Sequence, residues 1–154
     1  MSVSNQLYQE VILDHNRKPR NWGALAAANH RAEGHNPLCG DHIVLTLDVG
    51  GDGTLAALGF EGEGCAICKA SASMMTTVVK GKSVSEAETM VQQFRDMATG
   101  KLDPERDPHQ LGRLKVFAGV KDLPSRVKCA ILPWHTLLAA LHRDPVASTE
   151  DPTS

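Results

Sequence analysis

The stretch from Asp41 to Gly62, "DHIVLTLDVGGDGTLAALGFEG", constrains the fold more than any other part of the chain. Ile43, Leu45, Leu47 and Val49 fall at every second position, the period of a half-buried strand, and Gly50 to Gly53 interrupt the run before a second extended segment. Glycine-rich punctuation between two such runs predicts a β-hairpin. One face of that hairpin is apolar and must be covered, and the sequence that follows supplies the cover. From Ala66 the period changes: Ile67, Ala70, Ser71, Met74 and Val78 share one face of a helix that Gly81 closes. Ser83 and Glu86 form a capping box for a further helix, with Val84, Ala87, Met90, Val91, Phe94 and Met97 on its apolar side up to Gly100.

Before the hairpin, Leu7, Tyr8, Val11 and Ile12 repeat at helical spacing, and Asn16 to Asn21, with Pro19 among them, end that segment. Residues 101–125 hold three prolines and two glycines around a short apolar centre, which reads as an inserted connection with one or two helical turns. Val127, Ile131, Trp134, Leu138 and Leu141 mark a last helix, in which Pro133 should introduce a kink or end the first turn. Strands followed by helices predict an α+β domain, a small antiparallel sheet packed on one face by helices. At 154 residues with 42% apolar content, one domain over residues 1–144 is expected, and the polar tail 145–154 is expected to be disordered.

Charge and composition narrow the function. A net charge of -2, with basic residues scattered along the chain, supplies no field for nucleic acid or an anionic membrane. The first eighteen residues carry acids and amides where a signal peptide needs an apolar run, and no stretch approaches the roughly 20 apolar residues of a membrane span, so a cytoplasmic protein is expected. In that setting four cysteines read as thiols or metal ligands in preference to disulfides.

The four are Cys39, Cys65, Cys68 and Cys129. At 100° per residue, Cys68 falls at the edge of the apolar stripe while Cys65 lies roughly 160° from Ile67. The same wheel puts Cys129 about 200° from the seam of the last helix, which argues against a core-filling role. Cys68 reads as a small buried hydrophobe. Cys39 sits in "HNPLCGDH", a Pro/Gly turn before a strand, and Asp41, two residues on, could point the same way. Cys39, Asp41, Cys65 and Cys129 together would offer three sulfurs and one oxygen, a set that tetrahedral zinc accepts. Spacing admits this set without requiring it. His35 and His42 flank the turn and are alternative ligands, ranked below Asp41. A redox dithiol at Cys65-Ala66-Ile67-Cys68 is the competing reading, but such motifs follow a parallel βαβ unit and this one follows a hairpin.

"NPLCGD", "GEGCAICKASASMM" with "VKGKS" after it, and "RVKCAILPWHTL" resemble, in order, the three cysteine motifs of the IscU/NifU N-terminal family of iron–sulfur cluster assembly proteins, over about Leu7 to Leu141. Within it the chain is similar to the SufU branch, through the insertion before the third cysteine and through Lys128, where IscU scaffolds carry histidine. That resemblance implies zinc held by Cys39, Asp41, Cys65 and Cys129. It also implies that Cys39 accepts persulfide sulfur from a SufS-type pyridoxal-phosphate cysteine desulfurase and passes it to downstream SUF cluster-assembly proteins. Cys68 departs from the family pattern, which usually has serine there. Two alternatives remain: an IscU-like scaffold building a transient [2Fe–2S] cluster, for which Cys68 is the substitute fourth ligand, and a structural zinc module that docks a partner.

Overall fold

The computed structural model describes residues 3–37, 40–143 and 146–148. Helix α1 (Val3–Arg17) precedes strands β1 (His30–Asn36), β2 (Asp41–Val49) and β3 (Leu55–Glu63), which form an antiparallel meander. Helices α2 (Ala66–Val79) and α3 (Val84–Ala98), a 3-10 helix (Gly112–Asp122) and helix α4 (Pro124–Leu141) follow. The architecture is α+β, with α2 and α4 against one face of the sheet. Ser83 Oγ accepts from the Glu86 N–H while the Glu86 carboxylate accepts from the Ser83 N–H, so the expected capping box starts α3.

Strand β1 is absent from the periodicity of the sequence for a steric reason. Its inward residues are Ala32, Gly34 and Asn36, too small and polar to read as a strand face. They are small because α4 crosses directly over them: a Cβ at Gly34 would collide with the Thr136 side chain. Close approach of helix to strand replaces side-chain bulk here.

The core lies between the sheet and the helices, with Leu45, Leu47 and Phe60 from the strands meeting Met75, Phe94, Phe117 and Trp134. Phe94 stacks on Trp134 at 4.7 Å between centroids and meets Phe117 edge-on at 5.6 Å. The connection 101–125 is more ordered than expected. Leu111, Leu114, Phe117 and Val120 are all fully buried at a spacing of three, the repeat of a 3-10 helix and not of an α-helix. Helix α4 runs on through Pro133, so this proline does not mark the end of the first turn. The helical bond that Pro133 forgoes is the one to the carbonyl of Cys129, four residues back.

The expectation of a disordered tail needs correction. Val146–Ser148 form a short strand β4, paired parallel with β1 in the order β3-β2-β1-β4, so the sheet is mixed at this edge. Arg143, with a φ of 61°, turns the chain after α4, and the open side of β1 offers backbone donors and acceptors to pair. Residues 144, 145 and 149–154 lie outside the described residues.

Candidate metal centre

Three elements converge at the end of the β1–β2 hairpin. Asn36 pairs with Asp41 as its last register pair, and the Gly40 N–H donates to the Asn36 carbonyl at 2.9 Å. Alternation along β2 turns Asp41, Ile43 and Leu45 inward, under α4. Asp41 is 2% exposed, and a carboxylate so buried has to be hydrogen-bonded. Its Oδ1 accepts from the Cys65 backbone N–H at 2.9 Å and its Oδ2 from Asn36 Nδ2 at 3.2 Å. The backbone at Gly64 makes this possible, since a Cβ there would sit 3.0 Å from Asp41 Oδ1.

Cys65 is the N-cap of α2, and its sulfur accepts from the Cys68 N–H at 3.4 Å. Cys129 lies in α4, fully buried, and its sulfur accepts from Asn36 Nδ2 at 3.6 Å. Ser71 fixes the two helices to each other: its hydroxyl donates to the Ala130 carbonyl at 2.6 Å and accepts from Trp134 Nε1 at 3.2 Å. The outcome is that one donor atom from each of Asp41, Cys65 and Cys129 lies within 4.8 Å of the other two.

Electrostatics reinforce the geometry. A hydrogen bond from Cys129 pulls the Cys65 thiol down to about 6 against the opposing effect of burial, and the N–H of Cys68 at the start of α2 helps. Cys129 moves up for the complementary reasons: its bond to Cys65, burial, and the negative charge of Cys65 and Asp41 beside it. Of the two sulfurs, Cys65 is thus the one favoured as thiolate and Cys129 the one favoured as thiol. Two soft donors and one carboxylate in a dry wall of Ile43, Cys68 and Leu132 fit zinc or iron chemistry and not magnesium or calcium.

Of the residues singled out in the sequence, Asp41, Cys65 and Cys129 are brought together; Cys39 lies outside the described residues, in the connection between Asn36 and Asp41. Cys68 packs with Ile43, Cys129 and Leu132 and is fully buried, as a small hydrophobe is. The helical wheel separated Cys129 from the main seam correctly but missed its burial, because α4 has a second covered face against the hairpin. His35 and His42 point to the opposite side of the sheet from Asp41, so they do not join this centre. Asn36, which touches both Asp41 and Cys129, escaped sequence reasoning; an asparagine beside a Pro/Gly turn carries no signal that separates it from an ordinary turn former.

An α+β fold that gathers Asp41 from the start of β2 and Cys65 and Cys129 from two helix segments belongs to the class of domains with a thiolate–carboxylate site able to hold a metal ion. The chain matches the NifU-like N-terminal domain over residues 7–130 and belongs to that family. It is 44% identical over 131 residues to the zinc-dependent sulfurtransferase SufU of Bacillus subtilis, covering 85% of this chain and 86% of that one. It is 38% identical over 143 residues to the iron–sulfur cluster assembly scaffold protein IscU of Streptococcus pyogenes, covering 93% and 87%. Among solved structures, a protein described as an iron–sulfur cluster assembly scaffold for the SUF system, from Fervidobacterium islandicum, superimposes with a TM-score of 0.80 at 36% identity, covering 89% of this chain and 98% of that one. Among the described residues, no helix is long and apolar enough to cross a membrane.

Proposed function

We propose that this chain is a zinc-dependent sulfur-transfer protein of iron–sulfur cluster assembly that accepts persulfide sulfur on Cys39 from a SufS-type, pyridoxal-phosphate-dependent cysteine desulfurase. The observation that carries the reading is the convergence of Asp41, Cys65 and Cys129 in a chain that is 44% identical to a zinc-dependent sulfurtransferase. With Cys39, two residues before Asp41, the set becomes three sulfurs and one oxygen, a complete tetrahedral shell for zinc. Bound there, zinc supplies charge that keeps the sulfurs as thiolates at neutral pH.

The chain's own groups do the rest. The Cys65 N–H and Asn36 hold Asp41 in one orientation, and Asn36 also faces Cys129, so these three donors stay placed when a fourth departs. Cys39 is the donor suited to depart, because it belongs to a hairpin connection, whereas Cys65 caps α2 and Cys129 is built into α4. Its thiolate attacks the terminal sulfur of the desulfurase persulfide. A new S–S bond forms on Cys39, the old one breaks, and the desulfurase cysteine leaves as thiolate; no net oxidation occurs.

Lys128, beside Cys129, weighs against the scaffold reading because an ammonium is a poor cluster ligand where histidine would be a good one. The test is desulfurase turnover with and without this chain, followed by mass analysis of the acceptor. Turnover should rise and one sulfur should appear on Cys39, and Cys39→Ala should abolish both. A reconstituted cluster without any effect on turnover would instead favour the scaffold.

A further inference from the structure

The outer face of the same hairpin carries a second donor cluster that the sulfur chemistry does not use. Glu33 and His35 alternate outward along β1, and His42, directly opposite His35 in the register, points outward from β2. The two imidazoles stack, with centroids 4.6 Å apart and planes 12° from parallel. His42 Nε2 is shut off from solvent without a hydrogen bond, and Glu33 Oε1 lies 3.6 Å from it. One donor atom from each of Glu33, His35 and His42 falls within 4.8 Å of the other two.

We propose that Glu33, His35 and His42 form a second, exchangeable site for a divalent transition-metal ion such as zinc. Two imidazoles and one carboxylate are the donor set such ions accept with open positions left to water, whereas magnesium and calcium prefer oxygen alone. Zinc at its usual bond lengths needs donor atoms roughly 3.3–3.5 Å apart, so a bound ion has to draw in donors that now lie within 4.8 Å and tilt the two stacked rings out of parallel, so that both in-plane lone pairs meet on it. The backbone is already fixed, because Glu33, His35 and His42 sit in a paired antiparallel ladder. Arg31 competes for the carboxylate: its Nη2 lies 3.4 Å from Glu33 Oε1, on an exposed and easily displaced side chain. A bound ion has to take Glu33 from Arg31, which sets the site weaker than the thiolate centre. His42 follows Asp41 in sequence but faces the other side of the sheet, so each site can fill without the ligands of the other.

The experiment titrates the purified full-length chain with Zn2+ alone and compares wild type with the His35→Ala/His42→Ala double variant by calorimetry and equilibrium dialysis. Wild type should bind about one more zinc than the double variant, and that difference does not depend on what the cysteine centre holds. Glu33→Gln should weaken the extra site by about tenfold, while Arg31→Ala, which releases Glu33, should tighten it. The side chains are at the surface, and an unchanged melting temperature without added metal checks that the variants fold. Equal zinc uptake by wild type and double variant, whether both bind the extra ion or neither does, overturns the proposal. So does an extra site that weakens in Arg31→Ala.

Discussion

On the helix-covered face of the β1–β2 hairpin, Asp41 is 2% exposed and Cys129 fully buried, and each carboxylate oxygen of Asp41 has a fixed donor. On the outer face, the side chains of Glu33 and His42 are 33% and 43% exposed, and Glu33 is shared with Arg31. Each face presents three donors from adjacent strands or packed elements, yet burial gives them different uses. A dry, hydrogen-bonded set is held in place before an ion arrives and loses it slowly; a wet, partly occupied set can bind and release. The lesson is that donor identity selects the metal class while the surrounding shell selects how tightly it is kept.

The largest expected effect breaks the comparison from the inner side. Cys65→Ser or Cys129→Ser should reduce the zinc that copurifies from about one per chain to a small fraction of that, as measured by elemental analysis, and should lower the melting temperature with it. A chelator should do the same to the wild type, because the donors come from separate parts of the chain and the Cys65 thiolate is left beside the Asp41 carboxylate once the ion is withdrawn.

Acid sharpens the comparison once an unrelated group is subtracted. His135 on α4 is held down to about 4, chiefly by burial and secondarily by Arg95. Its folded value lies below the ordinary 6.5, so at neutral pH neither the folded nor the unfolded state carries the proton. As pH falls through 6.5 towards 4, the unfolded chain takes up a proton that the folded chain refuses, and stability drops by up to about 3 kcal/mol. Urea unfolding at pH 7 and pH 5 should show a shallower loss in His135→Gln than in wild type. What acid sensitivity remains in that variant belongs to other groups, the metal centre among them.

Smaller effects separate support from ligation. Asn36→Ala removes the donor to both Asp41 and Cys129 without removing a ligand, so zinc affinity should fall by roughly 10- to 100-fold in competition with a chromophoric chelator. Cys68→Ser should leave metal content unchanged and cost at most about 1 kcal/mol, since Cys68 packs behind the centre with Ile43 and Leu132. Loss of metal in Cys68→Ser would move Cys68 into the ligand set.

Much of this was legible in the sequence where side chains report their own surroundings. The β2–β3 hairpin, the change of period at Ala66 and the Ser83/Glu86 box appear in the fold as read. The reading failed where packing relies on the absence of a side chain or on another period. Strand β1 was invisible because α4 sits close over Ala32 and Gly34. One or two helical turns were expected in residues 101–125, but the length and type of the 3-10 helix escaped because Leu111, Leu114, Phe117 and Val120 repeat every three residues. At the site, spacing allowed Asp41, Cys65 and Cys129 to meet but could not require it, since their approach depends on the Ser71 link between α2 and α4. The outer cluster needs the β1–β2 register, which places His35 opposite His42 and which nothing local in "RAEGHNPLCGDHI" fixes.

The most direct test of the two-face account is zinc K-edge X-ray absorption on the chain carrying a single equivalent of zinc. The account predicts a first shell dominated by sulfur, with Zn–S near about 2.3 Å and one lighter scatterer slightly closer. A shell made only of nitrogen and oxygen near about 2.0–2.1 Å would place the first ion on Glu33, His35 and His42 and would contradict the assignment of the buried thiolate face as the tighter site.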